Sequence, residues 1–347
     1  RAGQEVGSVT HTASLRRTVE ALWRIESPRL IAALTRLVRD VGLAEDFAQD
    51  ALVAALEQWP VEGVPDNPGA WLMTVSKRRA IDWMRRDETS VRKYAELAHR
   101  MQMEQETDAA GVENAALGLD DDLLRLIFIA CHPVLSTDAR VALTLRLLGG
   151  RTMDEIAHAF LAPTPTIAQR ITRAKRTLTA AQVPFEAPQE NERAVRLASV
   201  LEVIYLIFNE GYAATAGEDW IRPSLCEEAL RLGRALAELT PDDSEVHGLV
   251  ALMELQASRL RARTGPAGEP ILLLDQKRAQ WDHLLIRRGL TALARAERLG
   301  GALGFYALQA AIAACHARAR TADATDWVRI AALYDALAQR APSPIIE

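Results

Sequence analysis

The chain has 347 residues, of which 49% are hydrophobic and 25% charged, an ordinary globular composition for two or three domains that excludes disorder as the general state. Aromatic residues make up only 5% and Ala, Leu, Arg and Glu dominate, so helix is favoured almost everywhere over strand. The net charge of −5 excludes a uniformly basic surface, and the longest apolar runs fall far short of the roughly 20 residues of a bilayer span.

Cys131, Cys226 and Cys315 are widely spaced and contain no CxxC pair, so no disulfide framework is expected and a reducing cytoplasm fits best. Cys131 adjoins His132, but no second ligand pair follows at zinc-site spacing, and the thiol reads as a buried group beside a helix end. No metal and no cofactor are expected. No signal-peptide pattern opens the chain, and Arg1 in place of Met leads to the expectation that N-terminal sequence has been removed.

In chain order, Leu15, Val19, Leu22, Leu30, Leu34 and Leu37 mark an amphipathic helix or helix pair over 15–40, broken or kinked near Pro28 and ended by Gly42. A second helix is expected over 44–59, with Phe47, Ala51, Leu52, Ala55 and Leu56 as its apolar stripe and acids in its first turn, where the helix dipole favours them. Pro60, Gly63, Pro65, Asn67 and Pro68 form a rigid loop before a third helix over 69–86. Residues 88–118 are polar and charged, with some helical tendency, and read as a linker. Four short helices follow at 120–131, 137–148, 152–160 and 164–181, punctuated by Pro133 and Gly149–Gly150 and closed by Pro184 and Pro188.

From Asn191 onward only long helical patterns occur. Residues 191–209 are apolar on nearly every face, which predicts a buried helix. Amphipathic segments at 223–239, 243–262, 275–298, 302–319 and 325–340 are joined by short turns, with Pro241 at one boundary. Paired helices of this kind resemble tetratricopeptide repeats, although no segment carries the full repeat consensus. The fold class is therefore all-α: two small helical domains and a C-terminal helical-hairpin domain.

The charge is unevenly placed. Residues 70–86 hold five basic groups (Lys77, Arg78, Arg79, Arg85, Arg86) against Asp82 alone, and residues 164–178 hold four (Arg170, Arg173, Lys175, Arg176) and no acid. Local charge governs contact with phosphate, so a mildly acidic chain can grip DNA through two basic helices. Thr152 and Glu155 have the spacing of a capping box. The short helix they start, a turn over 160–163 and a helix beginning at Thr164 or Thr166 make a helix-turn-helix. In that second helix Ile167, Ile171 and Ala174 face inward while Gln169, Arg170, Thr172, Arg173 and Arg176 face out, as a recognition helix requires. In the 69–86 helix Leu72, Val75 and Ile81 read as core, and Trp71 and Trp83, interleaved with the basic residues, read first as core as well; aromatic groups in such a setting can also receive an unstacked base.

Residues 44–51 (Ala-Glu-Asp-Phe-Ala-Gln-Asp-Ala) through Trp59, followed by Pro68-Gly69-Ala70-Trp71-Leu72 and the basic helix to Arg86, resemble region 2 of an ECF (extracytoplasmic function) sigma factor of the sigma-70 family. Residues 120–181 resemble its region 4. Asn209-Glu210-Gly211-Tyr212, residues 275–282 (Asp-Gln-Lys-Arg-Ala-Gln-Trp-Asp) and residues 308–313 resemble the tetratricopeptide-like C-terminal extension of one ECF subgroup. The implied division is region 2 at 12–87, a linker at 88–118, region 4 at 119–182, a short linker at 183–189 and the extension at 190–347, in which the final repeats are expected to be cut off or absent.

The resemblance implies core RNA polymerase and promoter DNA as partners, no membrane, and cytoplasmic localisation. Glu45, Asp46, Gln49 and Asp50 would contact the clamp helices of the largest polymerase subunit. The loop 61–67, with Asn67, would capture a flipped base of the −10 element, and Trp71, Lys77, Arg78, Arg79, Asp82 and Arg85 would hold the single non-template strand. Thr164, Thr166, Gln169, Arg170, Arg173 and Arg176 would meet the double-stranded −35 element. In place of the family's usual glycine-containing turn this chain has Ala162-Pro163-Thr164-Pro165-Thr166, with proline at an early helical position. Two weak binders joined by a linker and fixed on polymerase act as a bivalent reader, and binding of unstacked bases shifts the duplex toward the open form. The size of the C-terminal extension and its short Pro-marked tether at 183–189 lead to the expectation that it contacts polymerase or region 2 or 4 of the same chain and modulates activity. No phosphate loop, nucleophile elbow or HExxH occurs, so an enzyme is not expected. A helix-turn-helix regulator independent of polymerase explains only residues 119–182, and a repeat-type scaffold only the C-terminal block.

Overall fold

The computed structural model describes residues 2–86, 112–213 and 221–340, with side chains from residue 15 in the first stretch and residue 118 in the second. Thirteen α-helices and no strand occur among the described residues: α1 (Ala2–Val38), α2 (Val41–Glu62), α3 (Pro68–Arg86), α4 (Val112–Ala130), α5 (Thr137–Leu147), α6 (Met153–Ala159), α7 (Thr164–Ala180), α8 (Glu190–Tyr212), α9 (Pro223–Leu239), α10 (Ser244–Ala257), α11 (His283–Arg298), α12 (Phe305–Arg318) and α13 (Trp327–Arg340). The expected linker at 88–118 lies outside the described residues up to position 111; from Val112 the chain is already helical.

Two compact units divide the chain. One comprises residues 1–158 and 162–200, the other 159–161 and 201–347. Helix α8 starts in the first and ends in the second, and the short linker expected at 183–189 falls inside the first.

In the first unit α1 runs through Pro28 as a single helix, the first of the two expected alternatives, and not as a helix pair broken there. Proline removes one helical hydrogen bond, but Ser27, Pro28 and every residue from Leu30 to Thr35 are buried, and packing on that face holds the helix together. Nor does Gly42 end this helix. Arg39, at φ 56°, takes the left-handed position that terminates it, and Asp40 caps α2 by accepting from Leu43 N–H at 2.9 Å. Gly42 is the second residue of α2, which reaches Glu62 with Pro60 inside it. Helix α3 begins at Pro68, where a missing N–H is harmless, after Asn67 accepts from Ala70 N–H at 3.0 Å. Helix α1 packs on α2, α3 and α4, and α5 on α7.

In the second unit α10 is the central element, buried from Gly248 through Leu255 and flanked by α9, α11 and α12. Close approach is built from glycine: a Cβ on Gly248 would stand 2.8 Å from Ala307 N, and one on Gly289 2.7 Å from Leu255 Cγ. Helices α12 and α13 pack through Leu308, Ile312, Cys315, Ile330 and Leu337. From α9 to α13 successive helices are packing neighbours, as a helical-hairpin domain requires.

Two expectations for this block are corrected. The segment expected as one helix over 275–298 holds only a 3-10 turn, Arg278–Gln280, before Asp282 caps α11 by accepting from Leu284 and Leu285 N–H at 2.9 and 3.1 Å. Trp281 is thus outside any helix, buried beneath the Arg278 guanidinium, 4.7 Å from its ring centroid. And α8 is not buried all round, since Val195 is 66% exposed and Leu206 also faces out.

Candidate nucleic-acid interface

Helix α3 turns Leu72, Ser76, Ala80 and Met84 inward, a four-residue repeat that seats one stripe on the core. Ser76 is tolerated there because its hydroxyl donates to Leu72 C=O at 2.8 Å. The other face carries Arg78, Arg79, Asp82, Arg85 and Arg86, all exposed, with Lys77 at its edge. Trp71 is half-buried edge-on against Trp59, at a centroid distance of 5.4 Å. Trp83 is 37% exposed and lies 6.1 Å from Phe47. Asn67 is exposed in its capping role, at the end of a loop that opens at Gly63 with φ 88°.

The helix-turn-helix has the expected geometry. Thr152 Oγ1 accepts from Glu155 N–H at 3.1 Å, and Glu155 Oε2 accepts from Thr152 N–H at 2.9 Å. The Glu155 carboxylate also receives Arg24 at 2.6 Å and Arg151 at 3.1 Å. Burial alone would raise its pKa, but the Thr152 N–H and the two guanidiniums outweigh that and hold it below the usual carboxylate value. The chain turns at Leu161, φ 47°, and α7 begins at Thr164, whose hydroxyl donates to Asp154 at 2.8 Å. Ile167, Ile171, Ala174 and Leu178 are buried. Thr166, Gln169, Thr172, Arg173 and Arg176 are exposed, while Arg170 is half-buried and paired with Asp138 at 3.2 Å.

The four candidate polymerase contacts on α2 do not share one open face. Asp46 and Asp50 are exposed and Gln49 half-buried, but Glu45 is only 2% exposed. Its carboxylate receives Arg146 Nε from α5 and Lys175 Nζ from α7, each at 2.5 Å, and Gln49 Nε2 at 2.5 Å. Burial raises the Asp46 pKa, opposed by Lys175. Asp50 pairs with Arg79 of α3 at 2.8 Å, which joins a candidate polymerase contact to a candidate DNA contact. Arg146 and Lys175 were not singled out from sequence as partners of Glu45. The available signal was the position of Glu45 itself, four residues after Val41 and three before Ala48, on the buried stripe of α2.

Beside this contact Trp23, Gln49, Leu52, Val53, Leu56 and Arg146 line a cavity of 540 Å³. Among the described residues no group of three or more His, Cys, Asp or Glu side chains could hold a metal ion, and no helix is long and apolar enough to cross a membrane.

Comparison with known proteins places these modules. The sigma-70 region 2 profile matches residues 22–89, the sigma-70 region 4 profile residues 125–178, and a family of unknown function, DUF6596, residues 196–297. The uncharacterized protein R00370 of Rhizobium meliloti (strain 1021) is 41% identical over 319 residues, covering 92% of this chain and 75% of that protein. The probable ECF RNA polymerase sigma factor SigI of Mycobacterium tuberculosis (strain CDC 1551 / Oshkosh) is 26% identical over 182 residues, 52% of this chain and 61% of that protein. The ECF RNA polymerase sigma factor SigK of Mycobacterium sp. (strain KMS) is 28% identical over 159 residues, 44% of this chain and 76% of that protein. No solved structure matches the chain.

Two sigma-70 regions, in the order of the two basic modules, make the N-terminal half a transcription-initiation module. The chain belongs to the ECF sigma factors of the sigma-70 family, with a helical DUF6596 segment following region 4.

Proposed function

We propose that the chain binds core RNA polymerase, directs it to −35/−10 promoters and promotes strand opening, with the C-terminal helical domain modulating that activity. The observation that carries this reading is the pairing of two helices, α3 and α7, each with a packed apolar stripe and a cationic outer face. The outward Thr166, Gln169, Arg173 and Arg176 suit the edges and phosphates of a major groove. Arg170 joins them by giving up Asp138, and Thr164 by giving up Asp154. On α3, Lys77, Arg78, Arg79, Asp82 and Arg85 would hold the displaced single strand, with Asn67 and Trp71 beside an unstacked base. On α2, Asp46, Gln49, Asp50 and Glu45 would meet the polymerase clamp helices. The chemistry of this role is selective binding, and no catalytic residue is assigned.

The deciding experiment mixes the protein with sigma-free bacterial core polymerase and transcribes a promoter library. Initiation from a shared −35/−10 pair is the expected result. DNA binding without polymerase association would instead make the chain a free-standing helix-turn-helix regulator. For the C-terminal domain, a chain ending at Val200, where the first compact unit ends, should differ from the full chain in initiation rate; equal rates would remove the modulatory role.

A further inference from the structure

The second unit has a basic cluster of its own, and it is turned inward. Arg259 stands just beyond α10, Arg263 follows the 3-10 turn Leu260–Ala262, and Arg278 opens the turn before Trp281. Backbone bonds draw these segments together: Ile271 N–H donates to Arg263 C=O at 2.7 Å and Asp282 N–H to Ser258 C=O at 2.8 Å. Two aromatic rings lie among the guanidiniums. Arg263 is 3.6 Å from the Tyr212 ring centroid, Arg278 is 4.7 Å from that of Trp281, and Arg259 is 6.0 Å from each.

Buried carboxylates in this unit are paired: Glu254 receives Arg234 at 2.7 Å and Glu228 receives Arg231 at 2.5 Å. Arg259, only 8% exposed, has no such partner. Its Nη2 donates to the Tyr212 hydroxyl at 3.0 Å and to Gln256 Oε1, both neutral, and its Nε is buried without an acceptor. Arg278 donates to the His316 and Ala319 carbonyls and, at 3.3 Å, to Thr325 Oγ1. Among the described residues no carboxylate meets either guanidinium. Burial lowers the pKa of Arg259, and burial and then Arg259 lower that of Arg278. Burial, then Arg259 and Arg278, also lower the pKa of the buried His316. Trp281 Nε1 is a further buried donor without an acceptor. Uncompensated buried charge is strongly unfavourable, and cations with unmet donors call for an anion.

We propose that Arg259, Arg278 and Trp281 form a binding site for a phosphate group, taken up as inorganic phosphate or as the headgroup of a small phosphomonoester. Guanidiniums present parallel N–H donors that match the oxygens of such a group. A phosphate dianion offsets both charges, where a carboxylate or chloride offsets one. Arg278 is half-buried and forms the solvent side of the site, while Arg259 forms its floor. The site lies wholly within the second unit and stands independently of the polymerase-binding reading.

The test uses the full chain, in chloride and in phosphate at matched ionic strength. Titration calorimetry should show saturable binding of inorganic phosphate, and the melting temperature should rise with occupancy. Arg259→Met and Arg278→Met should each weaken binding by at least about tenfold and cancel the rise. Arg278 is the less buried of the two, so its variant keeps the test readable if Arg259→Met fails to fold. Arg287→Met, at an exposed position on α11, should leave binding and the rise unchanged. Methyl phosphate that binds as tightly makes a phosphomonoester the ligand, and methyl phosphate that is refused makes it the free ion; either result upholds the site. No saturable binding of phosphate, or a rise in melting temperature shared by the Arg259 and Arg278 variants, overturns it.

Discussion

Replacing Glu155 by alanine tests how the helix-turn-helix is held in place. The carboxylate closes the capping box with Thr152 and receives Arg24 from α1 and Arg151 from its own segment. Loss of a cap costs about 1 kcal/mol. The Arg24 pair is short, but its side chains are 46% and 33% exposed, so it is worth only about 0.5 kcal/mol after solvent screening. Together they predict about 1.5 kcal/mol of destabilisation, or roughly 3–6 °C in melting temperature for a unit of this size. Thr152→Ala alone should cost about 1 kcal/mol, and the double variant should cost less than the two summed, because both changes break one reciprocal pair. Urea unfolding followed by circular dichroism supplies all three values. The folded-state pKa of Glu155 is lowered, so its contribution is present above the usual carboxylate pKa and fades as pH falls through the folded value; Glu155→Gln should flatten that dependence. Additive single and double variants, or a loss below about 0.3 kcal/mol, would refute the reasoning.

His132 is held neutral, its pKa lowered to about 4 by burial and then by Arg196, while Nδ1 accepts from Val134 N–H at 3.1 Å. The unfolded chain takes up that proton first, so this stabilisation is complete above the ordinary histidine value of 6.5 and is lost as pH falls toward about 4; in His132→Gln the acid limb of a melting-temperature profile should be shallower. In the second unit, Gly211→Ala should destabilise by about 1–3 kcal/mol, since its Cβ would lie 2.7 Å from Cys226 N and 2.9 Å from Arg222 C=O; thermal unfolding checks this. Arg173→Ala should weaken promoter binding across sequences and lower the slope of log affinity against log salt by about 1, measured by fluorescence anisotropy on duplex −35 DNA.

The helices between Thr137 and Ala180 were legible almost to the residue because punctuating residues separate them: Pro133, Gly149–Gly150, the Thr152–Glu155 box and Pro163. Where markers conflict with packing, packing prevails. Pro28 signals a break, yet the surrounding buried surface carries α1 through it. Asp282 is a good cap that helical periodicity over 275–298 concealed, and the Trp281 turn before it is fixed by contacts remote in sequence. Arg278 reaches His316 C=O and, at 3.2 Å, Ala319 C=O. The outward residues of α7 follow from its inward stripe, whereas on α3 the buried stripe is Leu72, Ser76, Ala80 and Met84, and the expected Val75 and Ile81 are only half-buried. The Glu45 triad follows from no stripe, because it joins positions 101 and 130 residues downstream, and no local pattern encodes such a meeting.

The first turns of α8 complete something that begins 68 residues earlier in the chain. Arg196 donates to Phe128 C=O at 2.9 Å and Ser199 to Cys131 C=O at 2.6 Å, satisfying carbonyls at the exit of α4. Arg140 of α5 in turn donates to the Ser199 hydroxyl at 2.5 Å. The DNA-reading module is thus finished by residues beyond the end of its own profile match at 178. Grafted onto another protein as a bare cassette, it would carry unmet carbonyls at its base, and the smallest portable version of this reader extends to about Val200.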